Sequence, residues 1–193
     1  MRAAGTAAIY HVRIHGIVLV ELERFLDLHH GLHHWADIRS RTGRGSAYVI
    51  TEQYPDDEAL GLLAAAASSV GSSPSAFQRD FGRFLAGGLA QIYSPLLEPS
   101  WTLLDVLEHT ESVIHTAVRL NDATADPPHL EVRRPRPDMV EIEYRSPRRL
   151  CELAIGIIEG LARRFDKTPA ITTRSCQHRG DPSCWIVVTD SDP

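Results

Sequence analysis

HLEVRRPRPDMVEIEYRSPRR, residues 129–149, decides the fold class. Apolar and polar residues alternate over 129–134 and 138–145, the period of a strand with one buried face, and RPRPD between them supplies the turn. The segment is therefore expected to be an antiparallel hairpin. Ser146 and Pro147 then read as the opening of a helix over 147–165. Upstream the period is helical. Val18, Leu22, Phe25, Leu26, Leu32 and Trp35 recur at helical spacing between Gly16 and about Ile38, with Gly31 dividing the run into two helices. Residues 39–56, which include RTGRGS, read as loop. Asp56, Asp57 and Glu58 lead into a helix over 57–69, and acidic residues there suit the positive end of its dipole. Ser72-Ser73-Pro74 starts a helix over 75–93 with Phe77, Phe81, Phe84 and Leu85 on one face, and a further long helix covers 100–121. Downstream, 169–175 and 184–190 form a second hairpin around HRGDPS. Helices followed by strands make an α+β fold, with an N-terminal helical subdomain and a C-terminal antiparallel sheet carrying packed helices.

Composition narrows the function classes. With 193 residues the chain has room for one domain, read as 15–193 after an N-terminal extension over 1–14. A net charge of −5 gives no electrostatic footing for nucleic acid or an anionic membrane surface. No apolar run approaches the roughly 18 residues needed to span a bilayer. Three cysteines, an odd and low number, argue against a secreted disulfide scaffold and for a reducing cytoplasm.

Three groups of residues carry chemistry. His29, His30, His33 and His34 have i, i+4 pairs, but Gly31 interrupts them and no acid or thiol accompanies them, so they read as a solvated helix end. His115 stands within the apolar ESVIHTAVRL, residues 111–120, and taken alone reads as a core histidine. In EYRSPRR, residues 143–149, Tyr144, Ser146 and Arg148 alternate, so two hydroxyls and a guanidinium would share one side if the segment stays extended. That set suits a ligand with fixed carboxylates, although a salt-bridged arginine beside a serine cap would leave the same pattern. Cys151, Cys176 and Cys184, with His178 between the last two, offer three thiolates and an imidazole for a closed zinc site; buried thiols or a Cys176–Cys184 disulfide remain open.

His115, Pro127-Pro128 lying 12 and 13 residues after it, and Y-x-S-x-R beginning 29 residues after it together resemble the H-NOX (haem-nitric-oxide-binding) family. HGIVLVELERFL, YPDDEALGLLAAAA and SPRRLCELAIGIIEG are similar to that family as well. The resemblance implies haem b buried between helical subdomain and sheet, with His115 as the iron ligand, Pro128 packed on the macrocycle, and Tyr144, Ser146 and Arg148 on its propionates. It implies Leu22, Leu85 and Leu153 as the distal wall. Family members that hold oxygen carry a tyrosine at the position of Leu153. The expectation is therefore a sensor, not an enzyme, that binds nitric oxide and carbon monoxide and excludes oxygen. Its output would pass to a separate signalling protein such as a histidine kinase or a cyclic-di-nucleotide enzyme. A subgroup binds zinc through cysteines spaced like Cys151, Cys176 and Cys184 and responds to thiol oxidation; its histidine three residues before the middle cysteine is Thr173 here, which leaves His178 as the substitute ligand. A thiol or zinc redox sensor is thus the alternative function. The cysteine segment also resembles small-molecule-binding modules of the vinyl-reductase type.

Overall fold

The computed structural model describes residues 13–42 and 47–190. Most of the expected extension, 1–12, and residues 43–46 of the RTGRGS turn lie outside the described residues. Strand β1 (Arg13–His15) leads directly into helix α1 (Gly16–His29). Gly31, at φ +102°, divides α1 from α2 (Leu32–Thr42) as the sequence suggests. β1 pairs antiparallel with β2 (Gln53–Pro55), a two-strand ribbon inside stretches expected to be extension and loop. Both strands are three residues long, too short for alternation to register. Helix α3 (Asp56–Ser69) and helix α4 (Pro74–Ile92) follow. α4 is capped by the Ser73 hydroxyl, which accepts from the Ala76 backbone N–H at 3.2 Å.

The long helix expected over 100–121 is wound in three pieces: α5 (Leu103–His109), a π-helical turn (Thr110–His115) and α6 (Thr116–Asn121). Strands β3 (His129–Arg136) and β4 (Met139–Arg145) form the expected hairpin, and β5 (Ala170–Ser175) and β6 (Cys184–Thr189) the second. They combine in the antiparallel order β3-β4-β6-β5. Helix α7 (Cys151–Arg164) lies on this sheet. It starts at Cys151, not at Pro147. Ser146 closes a turn instead, its carbonyl accepting from Arg149 N at 3.2 Å, and Arg149 takes φ +53°, which no α-helix accommodates.

The architecture is α+β with two apolar cores. One joins α1 to α4 through Leu19, Leu22, Phe25, Leu62, Phe77 and Phe81. The other lies under the sheet, built from Leu103, Leu107, Val140, Ile155, Ile186 and Val188. α7 serves both: Leu153 faces the first, and Cys151, Ile155 and Ile158 the second. It can do so because α4 and α7 touch backbone to backbone along glycines. A methyl group on Gly156 would lie 2.2 Å from the Arg79 carbonyl oxygen, and one on Gly82 2.4 Å from that of Leu153. Glu159 closes the seam, accepting from Arg79 Nη2 at 2.5 Å and Arg83 Nε at 2.6 Å. No described helix is long and apolar enough to cross a membrane.

Candidate functional site

A cavity of about 280 Å³ lies between the two cores. Its walls come from α1 (Ile17, Val18), α4 (Leu85, Leu89), α7 (Leu153, Ile157) and the sheet (Ile142, Ile186). The helix carrying His115 closes it on another side. A reciprocal cap starts α5: Thr102 Oγ1 accepts from Asp105 N at 3.3 Å, and Asp105 Oδ2 accepts from Thr102 N at 2.8 Å. The π turn then fits one extra residue into its turn. Ile114, His115 and Val118 from the end of that turn and from α6 line the cavity, together with Pro127 and Pro128 from the loop that follows.

His115 is thus no ordinary core histidine. Its Nδ1 is 2.9 Å from Glu111 Oε2, which leaves Nε2 as the ring nitrogen for a ligand. Burial holds the imidazole below its usual pKa, against the opposite pull of Glu111 and of a hydrogen bond to the Pro128 backbone, while the Arg119 charge lowers it further, so neutral imidazole, the ligating form, is favoured. Burial alone would raise the pKa of Glu111, but hydrogen bonds from His115 and Arg119 more than offset that and keep it ionised.

The polar end of the cavity is made by the predicted trio. Tyr144, Ser146 and Arg148 all line it, although the chain does not stay extended through them. β4 ends at Arg145 and the turn over 146–149 swings Arg148 around. Tyr144 is 3% exposed and burial pushes its hydroxyl up to about 12, so it acts as a neutral donor. The Arg148 side chain, 6% exposed, donates from Nε to Asp56 at 2.8 Å, from Nη1 to the Asp126 carbonyl at 2.6 Å and from Nη2 to the Arg13 carbonyl at 2.9 Å.

Leu85 and Leu153 are on the wall; Leu22 is fully buried in the helical core and does not line the cavity. Sequence reasoning missed His15, Gln53 and Tyr93, which also line it. His15 and Gln53 belong to the short ribbon, and Tyr93 follows the last residue of α4. Gln53 has both amide atoms shut off from solvent, with the Asp122 carboxylate as its polar neighbour. An apolar slot with His115 and His15 on its walls, the latter with Nδ1 already taken by the Ile17 N–H at 3.3 Å, and with a guanidinium and hydroxyls at one end fits haem.

Cys151, Cys176 and Cys184 converge as expected. Their sulfurs lie within 4.8 Å of one another, all buried and all free, so the Cys176–Cys184 disulfide is not formed. His178 is not with them: it is exposed, and its Nε2 pairs with the Arg149 carbonyl at 2.7 Å. Thr173 lies in β5 opposite Ile186. No fourth ligand joins the three sulfurs among the described residues.

The family described as Haem-NO-binding matches residues 15–173. The fold is similar to that of the H-NOX protein from S. oneidensis in the Fe(II)NO ligation state, at 23% identity and TM-score 0.86, over 93% of this chain and 100% of that one. It is also similar to the Fe(II) unliganded H-NOX protein from K. algicida, at 17% identity and TM-score 0.81, over 93% and 98%. A mutant of T. tengcongensis H-NOX aligns at 19% identity and TM-score 0.79, over 91% and 96%. Curated protein sequences give no match.

Proposed function

The chain belongs to the haem-NO-binding (H-NOX) family, and on that premise we propose that it is a haem-based sensor that binds nitric oxide and carbon monoxide, excludes oxygen and signals to a separate protein. The observation that carries this reading is one cavity with His115 on its wall and Tyr144, Ser146 and Arg148 at its end. Ferrous haem held there by His115 would supply the iron chemistry that binds a diatomic gas. The chain's own residues do the rest. His115 presents Nε2; Arg148 and the two hydroxyls hold carboxylates at the polar end; Pro128 packs beside the histidine helix. Leu85 and Leu153 offer no hydrogen bond to a ligand that gains negative charge on binding as oxygen does, which favours nitric oxide and carbon monoxide, both of which gain much less. The helix bearing His115 is tied to the sheet, and its movement is the natural signal to a histidine kinase or cyclic-di-nucleotide enzyme in the cytoplasm.

The test is haem reconstitution of the purified protein. A Soret band lost in His115→Gly, and restored there by free imidazole, supports the assignment. A protein that takes up no haem rejects it. Ferrous protein whose spectrum changes reversibly when oxygen is admitted overturns the selectivity, and Tyr93 is then the donor to replace. The cysteine triad supports a second, accessory reading, a zinc or thiol-redox site, because three buried sulfurs converge. Zinc content of the reduced protein, with and without peroxide, tests it.

A further inference from the structure

Glu111 lies one turn before His115, and its carboxylate is held on every side. Oε2 takes the His115 Nδ1 hydrogen at 2.9 Å and the Leu130 backbone N–H at 3.1 Å. Oε1 pairs with Arg119 Nη2 at 2.8 Å, with His129 Nδ1 at 3.9 Å beyond it. A helix with ordinary capping needs none of this: Glu111 is in mid-helix, and a backbone amide from the start of β3 has been brought in to hold its orientation. The arrangement does two things to the imidazole. It pins the tautomer with the proton on Nδ1 and the lone pair on Nε2, and it draws that proton toward a full negative charge, which makes Nε2 the more basic donor. Arg119 works against the second effect, because its guanidinium takes part of the same charge.

We infer that Glu111 sets the donor strength of His115, acting as a positioning residue that stiffens the histidine–iron bond, with Arg119 as its counterweight. The inference rests on the haem-sensor reading. With haem bound, a stronger histidine donor would stabilise the more positive metal, lower the reduction potential and resist displacement by nitric oxide.

The experiment uses haem-loaded full-length protein and three variants. In Glu111→Gln the acceptor stays and the charge goes. The iron–histidine stretching band in resonance Raman is expected at lower wavenumber, the reduction potential higher, and the ferrous nitric-oxide spectrum shifted toward the five-coordinate form. In Glu111→Leu the same changes grow, and haem retention against apomyoglobin weakens about 10- to 100-fold. In Arg119→Ala, which leaves the His115 hydrogen bond intact, band and potential move the opposite way. A role confined to holding the helix against β3 would not shift the two residues' variants in opposite directions. Haem-loaded variants with an unchanged band and potential overturn the inference while leaving the sensor reading in place. Wild-type protein that binds no haem overturns both. If Glu111→Leu does not fold, Glu111→Gln and Arg119→Ala decide the matter.

Discussion

Gly156→Ala is the sharpest probe of how the cavity's distal wall is built. The new methyl would lie 2.2 Å from the Arg79 carbonyl oxygen and 2.9 Å from its carbon, both backbone atoms that cannot rotate away. Ordinary contact begins near 3.4 Å, so α4 and α7 must part by about 1 Å, which is an overpacking cost of roughly 1–3 kcal/mol or more. Alanine's better helix propensity returns about 1 kcal/mol. The net expectation is a loss of about 0–2 kcal/mol or more, against the gain expected of the control. Gly87→Ala in α4 is the matched control: nothing lies within 4 Å of its added methyl, so only the propensity term acts and a gain of about 1 kcal/mol follows. Urea unfolding followed by circular dichroism, with both variants in the same cofactor state, measures the difference. Because Leu85 and Leu153 face the cavity from these two helices, Gly156→Ala should also change carbon monoxide association. A Gly156→Ala protein as stable as Gly87→Ala would refute the argument that the helices meet along their backbones.

Other outcomes follow from single groups. Leu153→Tyr places a phenol on the cavity wall and should let the ferrous protein take up oxygen reversibly, read by its visible spectrum, at about 1–3 kcal/mol of stability. Burial works against ionisation of Asp105, yet hydrogen bonds from Thr102 and the contact with Arg134 lower its pKa from 3.8 to about 2. Its folded pKa is depressed, so its contribution is complete above about pH 4 and is lost as pH falls toward 2; acid titration of Asp105→Asn should lack that part of the unfolding curve. Burial, followed by the neighbouring sulfurs, pushes the Cys151 thiol up, so it should react with a disulfide reagent far more slowly in native than in urea-unfolded protein at pH 7.

The parts of the fold that repeat over many residues were legible. Alternation over 129–145 and helical spacing from Val18 to Trp35 reflect faces buried along a whole element, and both elements formed. Short or paired features were not. The β1–β2 ribbon is held by partners about 40 residues apart, such as Ile14 and Tyr54, and three-residue strands leave no periodic trace. That ribbon brings His15 and Gln53 to the cavity, which is why both were missed. The start of α7 was misplaced because Ser-Pro is a common helix opener, and nothing local shows that Arg149 adopts a left-handed backbone. His115, Pro128 and the Tyr144–Ser146–Arg148 trio were legible as a spacing, whereas Glu111 was hidden, since an acid one turn from a histidine on a helix is commonplace until β3 is seen to meet it. Leu22 was carried to the cavity by resemblance and sits instead one layer behind it.

Arg148 has a consequence for binding. Its guanidinium is sealed from water and already neutralised by Asp56 and Asp126, so the polypeptide needs no guest to satisfy it. An incoming acid must therefore displace another acid, trading one ion pair for a similar one. Such an exchange adds little net attraction and much geometry: the arginine decides which way round a guest sits, while apolar contact along the slot decides how tightly it stays.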